Sequence, residues 1–310
     1  MKNEKIMVSI NCVAYNHEDY IKDALESFLM QRTNFKYEIL INDDASTDKT
    51  KEIIREYEIK YPDIIKPLYQ KENQYSKGKN MYSFNNERAR GKYIAYCEGD
   101  DFWTDPYKLQ KQVDYMEKNL DCGLCFHKAE VLDHQTKKII NKISVGEDSK
   151  IFSVEKIIES SGGSIVPTAS IMVRKNLIDD SYFYKKMCRW AWATKIFFSS
   201  KKYAYYLAES MSVYRTNIDG SWTNTHKSIL KTKETFLELI DLLEKFNEYS
   251  KNKYNISVEK RIKKYCFYIL KLDLLEQTIS KKEKKKLYSK LSFLERAKLN
   301  FYKVRNYFYK

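Results

Sequence analysis

Glycine and proline are scarce in this chain, at 8 and 4 of 310 residues, which favours helix-rich globular structure over disorder. No apolar run reaches 18 residues, so no transmembrane helix is predicted. The opening Met1-Lys2-Asn3-Glu4-Lys5 leads straight into a strand pattern. It lacks the apolar stretch and small-residue cleavage site of a signal peptide, so a cytoplasmic location is expected. A second paired cysteine motif is also missing. Among Cys12, Cys97, Cys122, Cys125, Cys188 and Cys266 there is one CxxC, with no second pair or histidine at zinc-site spacing. Cys122 and Cys125 fall within an apolar strand-like run and are expected to be ordinary buried thiols.

What the chain does have is charge and a substantial apolar fraction. Hydrophobic residues make up 43%, enough for a sizeable core in one large domain or a domain plus an extension. The net charge of +14 is uneven. Residues 226–310 hold 22 Lys and Arg against 10 Asp and Glu, a net +12 that leaves only +2 for residues 1–225. The basic character therefore belongs to the tail.

The first 120 residues alternate between strand and helix patterns. Strands are expected at Ile6–Ala14, Tyr37–Asn42, Ile64–Gln70 and Lys92–Cys97. Helices are expected at Asp19–Gln31, Thr47–Tyr61 and Asn80–Arg90, with a fourth running from Asp105-Pro106 to Asn119. Ser46 or Thr47 can cap the second helix, Gly91 can close the third, and Asp105-Pro106 reads as N-cap and first helical residue of the fourth. This order predicts a mostly parallel central sheet flanked by helices, Rossmann-like in class. Sites in such sheets lie beyond the carboxyl ends of strands. Three polar clusters occupy such ends: Tyr15-Asn16, Asp43-Asp44 and Glu98-Gly99-Asp100-Asp101. From Gly123 to Tyr214 the pattern becomes mixed, with short strands at 123–127, 129–133, 137–141, 169–174, Tyr205–Ala208 and Ser212–Arg215, and helices near 153–160 and 192–200. Long lysine-interleaved helices follow, from about Ser228 to Asn247, Ser257 to Thr278, and Lys281 onward. A boundary is placed near residue 225, giving domains 1–225 and 226–310.

A carboxylate cluster on a loop is costly unless solvent or a cation compensates it. A divalent metal bridging a diphosphate is one such compensation. The segment from Ile94 to Gln112, containing Glu98-Gly99-Asp100-Asp101-Phe102-Trp103, resembles the signature segment of family 2 glycosyltransferases with the GT-A fold, including bacterial surface-polysaccharide enzymes. Val8 to Glu18 resembles the family's first strand and nucleotide loop, and Ile41 to Asp48 its second acidic motif. The likeness extends more weakly to about Trp222.

The resemblance implies that Tyr15 stacks near a nucleobase, with Asn16 and Glu18 close by. Asp43 or Asp44 accepts a hydrogen bond from the base, with uracil the expected one. Glu98 or Asp100 contacts the ribose. Asp100 and Asp101 are the candidates for holding Mg²⁺ or Mn²⁺. Tyr15 can also be read simply as a strand-end aromatic. Phe102 and Trp103 either anchor the loop against the core or contact the sugar.

Two departures from the family pattern stand out. Inversion in one displacement needs a general base for the acceptor hydroxyl. Related polysaccharide enzymes supply an Asp from text resembling Gly-Asp-Trp. Here the segment reads Met187-Cys188-Arg189-Trp190-Ala191-Trp192, with Ala191 at the expected base position, so Asp179, Asp180 or Glu209 would have to serve. Downstream, Tyr214 to Trp222 resembles a family segment in which His stands at the place of Asn217. Asn217 and Arg215 become candidates for contacting the diphosphate or acceptor, with pairing to a nearby carboxylate the other reading for Arg215.

The tail combines the run Lys281-Lys282-Glu283-Lys284-Lys285-Lys286 with apolar neighbours such as Phe293, Leu294 and Phe301. It is either a solvated helical face over a small core or a surface that rests on an anionic membrane. No recognised nucleic-acid module is present. The expected function is an inverting, metal-dependent transfer of sugar from a UDP-sugar to a glycan or polyprenyl-linked acceptor in surface polysaccharide synthesis, at the inner face of the cell membrane. The alternatives are a catalytically impaired nucleotide-sugar-binding relative in a glycan assembly complex, and a basic binding module.

Overall fold

A computed structural model describes residues 5–160, 165–188, 191–218, 229–276 and 279–308. It divides into two compact units, Met1–Asn217 and Ile218–Lys310. The boundary expected near residue 225 lies outside the described residues.

In the first unit, four parallel strands come from the alternating half of the sequence: β1 (Ile6–Ala14), β2 (Lys36–Asp43), β3 (Ile65–Tyr69) and β4 (Tyr93–Glu98). Their order in the sheet is β3-β2-β1-β4. The connecting helices are α1 (Ile21–Leu29), α2 (Thr50–Lys60) and α3 (Met81–Arg88). Strands buried on both faces read as apolar runs: Val8, Ile10, Cys12, Ile39, Ile41, Ala95 and Cys97 are fully enclosed. After β5 (Phe102–Trp103) and α4 (Lys108–Lys118), the chain runs through β6 (Cys122–Asp133), β7 (Lys138–Ile143), β8 (Lys150–Phe152) and α5 (Val154–Glu159). Next come β9 (Met172–Arg174), α6 (Ala191–Lys201) and β10 (Tyr203–Thr216). β9 inserts antiparallel between β4 and β6, and β10 runs parallel to β6, with β5 and β8 antiparallel against β10.

Several local expectations are corrected. The pieces at 123–127 and 129–133 are one strand, β6, and the two short strands after residue 203 are also one, β10, with bulges at Leu207/Ser210 and Ser210/Ser212. Ser46 and Thr47 do not cap α2, whose N-cap is Lys49 without a side-chain cap bond. α4 begins at Lys108, and Asp105 instead accepts the Tyr107 amide at 2.7 Å. Gly91 lies beyond the cap of α3, and its role is close packing: a Cβ there would stand 2.5 Å from the Ser9 nitrogen. All six cysteines are free and buried.

The second unit is helical: α7 (Ile229–Tyr249), α8 (Asn255–Glu276), α9 (Lys281–Lys290) and α10 (Phe293–Phe308). Leu242, Leu243, Phe246, Tyr265, Cys266 and Ile269 form its buried centre. The single helix expected from Lys281 onward is broken after Lys290. Ser292 restarts it, accepting the Glu295 amide at 3.4 Å while Glu295 accepts the Ser292 amide at 2.9 Å.

Candidate active site

The sheet register brings the three polar clusters together. Ala14 pairs with Asp43, and Val13 pairs with Glu98, so the ends of β2 and β4 flank the exit of β1. Adjacent strands are about 4.8 Å apart, which puts both acidic segments on one rim.

The loops after β1 and β2 are laced to each other. Asn16 adopts φ 54°, in the left-handed region. Its side-chain oxygen accepts the Thr47 amide at 2.8 Å, and its own amide donates to the Ser46 hydroxyl at 3.0 Å. Glu18 accepts the Lys49 amide at 3.0 Å, and the Glu18 amide donates to Asp48 at 2.9 Å. Asn16 and Glu18 therefore shape the rim through the neighbouring loop. Tyr15 stands at the same turn, 44% exposed.

The structure separates the two carboxylates that the sequence left as alternatives. Asp44 is fully employed: its oxygens accept the amides of Gln74 at 2.7 Å and Tyr75 at 3.0 Å. Asp43 is equally buried, yet neither of its oxygens has a hydrogen-bond partner. Burial pushes its pKa up, and the nearby Ser46 hydroxyl and amide pull it back without completing a well-formed bond. A buried carboxyl with both oxygens unmatched is costly and calls for a donor from outside the chain.

The acidic loop is a crowded turn. Gly99 donates to the Val13 carbonyl at 2.9 Å, and a Cβ on it would meet His17 Nδ1 at 2.9 Å. Glu98 accepts a hydrogen bond from the Tyr82 hydroxyl. Burial first, then Asp100, raises the Glu98 pKa to about 7, while Tyr82 and Lys195 oppose the rise. Asp101 is 1% exposed and accepts the Arg215 amide at 2.9 Å. Burial, Asp100 and Glu98 push its pKa well up. Asp100 is more open, with the His17 Nε2 atom 4.0 Å from its carboxylate. Burial and the neighbouring Asp100 carboxylate raise the pKa of both Glu98 and Asp101, a crowding of acid groups that a divalent cation would relieve. Among the described residues no three His, Cys, Asp or Glu side chains converge as a ready-made cage. The donor set fits a hard cation that takes much of its shell from diphosphate oxygens.

Other expected contacts have different positions. Trp103 is a core residue, 1% exposed. It donates to the Ala169 carbonyl at 2.8 Å, meets Phe28 edge-on, and carries the Lys108 ammonium 4.0 Å from its ring centre. It anchors the acidic loop and does not face a sugar. Arg215 is a clasp: it donates to the Asp100 carbonyl at 2.7 Å, pairs with Asp23, and lies over the Phe102 ring. Asn217, at φ 57°, donates to Asp133 at 2.5 Å and so ties β10 to the β6–β7 turn.

The three substitute bases do not reach the rim. Tyr93, the first residue of β4, pairs with Arg174, so the chain after β9 leaves at the amino edge of the sheet. There Asp179 pairs with Lys201 at 2.5 Å, and the exposed Asp180 with Lys185 at 2.9 Å. Glu209 precedes Arg215 by six strand residues, roughly 15–20 Å, and pairs with Lys111, which also holds Asp105. Ala191 opens α6, while Arg189 and Trp190 lie outside the described residues. The sequence reading overlooked Tyr82, His17 and Lys195 as rim residues. Lys195 is 1% exposed, and burial lowers its pKa to about 8 against the pull of Glu98. Its signal was a lone lysine within the apolar run Ala191–Phe198.

Comparison with known proteins gives the family and the fold. Residues 9–181 match the family described as Glycosyl transferase family 2. An uncharacterised protein of Mycobacterium tuberculosis is 34% identical over 232 residues, covering 74% of this chain and 64% of that protein. The chain thus spans somewhat less than two thirds of that relative. A Bacillus subtilis protein, provisionally named a teichuronic acid biosynthesis glycosyltransferase, is 36% identical over 126 residues, 41% of this chain and 48% of that one. Among solved structures, S. aureus TarS residues 1–349 in complex with UDP shares the fold, with a TM-score of 0.64 at 14% identity over 96% of this chain and 87% of that one.

Proposed function

Because this chain belongs to glycosyl transferase family 2, we propose that it transfers a sugar from a UDP-sugar to a glycan or polyprenyl-linked acceptor in surface polysaccharide synthesis. The observation that carries the donor assignment is Asp43, a buried carboxyl at the end of β2 with neither oxygen paired. A uracil N3–H supplies the missing donor, and the exposed Tyr15 ring on the same rim offers a stacking face. Glu98 or Asp100 would accept hydrogen bonds from the ribose hydroxyls. Asp100 and Asp101 would hold Mg²⁺ or Mn²⁺, which offsets the charge of the departing nucleoside diphosphate. Gly99 and the Arg215 clasp fix the carboxylates before substrate arrives. The surface-glycan role draws on the likeness to the Bacillus subtilis relative, and a lipid-linked acceptor would place the protein at the inner face of a membrane.

Calorimetric titration with UDP and Mn²⁺ tests the donor half. Asp43→Asn keeps the shape but offers a mismatched amide, and is expected to weaken UDP by about 10- to 100-fold, as loss of a charged hydrogen bond does. Asp100→Ala is expected to abolish the Mn²⁺ dependence. A wild-type protein that binds no UDP with Mn²⁺ would refute the assignment.

A second reading has its own support. Inversion needs a base at the acceptor side, yet residue 191 is alanine, and Asp179, Asp180 and Glu209 are committed elsewhere. On this reading the chain binds nucleotide-sugar within a glycan assembly complex and turns over weakly. Sugar transfer at an ordinary rate of about 1–10³ per second would eliminate it.

A further inference from the structure

We propose that α9 and α10 form a docking surface for an anionic lipid bilayer, which rests on the lipid-linked acceptor reading above. Both helices turn their buried sides to the same unit. On α9 the buried residue is Leu287, and Lys284 pairs with Asp273 of α8 at 2.7 Å. On α10 it is Leu299, and the Tyr302 ring meets Phe267 of α8 at 6.3 Å and the Lys271 ammonium at 4.4 Å. The two helices also lie against each other, with Arg296 and Lys303 of α10 over the Tyr288 ring of α9.

The opposite sides carry two different signals. At about 100° per residue, Lys281, Lys282, Lys285 and Lys286 fall on one outward arc of α9. All four are exposed, and none pairs with an acid among the described residues. On α10 the arc opposite the buried Leu299 presents Phe293 at 84% exposure, Leu294 at 71% and Phe301 at 67%, with Lys298 at its edge. Exposed aromatic and aliphatic side chains at helical spacing, beside unpaired lysines, fit the interface of a negatively charged bilayer: the rings enter the acyl boundary and the ammonium groups meet phosphates. A nucleic acid would use the lysines but leave the phenylalanine and leucine stripe without a partner.

The test is co-sedimentation of the full chain with phosphatidylcholine vesicles, alone or with about one-third phosphatidylglycerol. Wild type is expected to bind the anionic vesicles and not the neutral ones. Phe293→Ser with Phe301→Ser is expected to weaken binding by about tenfold or more. Replacing Lys281, Lys282, Lys285 and Lys286 by Gln is expected to do the same, since each lysine near the surface contributes about fivefold. These side chains are exposed, so UDP titration should be unchanged in both variants, and a failure here is separable from failure of the donor assignment. The proposal is overturned if wild type ignores anionic vesicles or if the serine variant binds them like wild type. It is also overturned if the stripe proves to hold a wild-type dimer that the serine variant dissociates.

Discussion

Glu98 is where burial, a neighbouring carboxylate and a tyrosine hydroxyl act on one group. Its pKa rises from the ordinary 4.5 to about 7, with burial and Asp100 as the main causes. Between those values the folded chain holds a proton that the unfolded chain has lost, so stability falls as pH rises through this window. By pH 7.5 most of the penalty is present, and at pH 4.5 most of it is absent. Glu98→Gln keeps an acceptor for Tyr82 and removes the charge. It is expected to stabilise the unliganded protein by about 1–3 kcal/mol at pH 7.5 and to change little at pH 4.5. The gain falls short of the whole shift because Lys195 loses its counter-charge. Urea denaturation at both pH values checks this, and an equal effect at both would assign the change to packing and not to charge. On the proposed function, a cation bound at this rim would offset the cost of that crowding.

Between elements, buried amides join α3 to the sheet. The two N–H groups of the Asn85 side chain are shared among the carbonyls of Cys12 and Leu40 at 3.0 Å each and the Asn11 side-chain oxygen at 2.9 Å, while its own oxygen accepts from Arg88. One fully buried side chain thus spans β1 and β2 just below the rim. Asn85→Ala leaves buried acceptors unmatched and should lower unfolding free energy by about 2–4 kcal/mol. A change below 1 kcal/mol in urea denaturation would show that water replaces the amide. This seam was not legible in the sequence, because Asn85 and Asn86 look like polar surface residues until the helix is seen against the sheet. The legible part was the repeating apolar strands and helices, whose burial fixes their period. Their order placed Tyr15, Asp43-Asp44 and Glu98-Asp100-Asp101 on one rim. Which member of each pair is free could not be read, since Asp44 is used by backbone amides thirty residues downstream. Nor was the amino-edge exit of Asp179 and Asp180 visible, because it depends on β9 running antiparallel beside the parallel strands β3-β2-β1-β4 of a mixed sheet.

For the whole molecule, charge and chemistry fall on different units. Every rim residue described above lies in Met1–Asn217, while the basic excess of +12 lies in residues 226–310. The first unit has a sheet core of its own, and the helices of the second enclose Leu243, Phe246 and Ile269. Burial on this scale suits each to fold as a separate body. A chain ended after residue 225 is therefore expected to keep UDP affinity within about threefold of the full chain, a difference of about 0.7 kcal/mol. The same shortened chain should lose co-sedimentation with anionic vesicles, since the lysine arc and the phenylalanine stripe are gone. Circular dichroism establishes that it is folded, and calorimetry then reads the nucleotide site alone. A folded fragment without UDP affinity would mean that the second unit completes the donor site. An unfolded fragment would mean that the sheet core needs the helices for stability. Retained UDP binding with lost vesicle binding would divide the labour as the charge does, with recognition of the donor in the first unit and placement at the acceptor's membrane in the second.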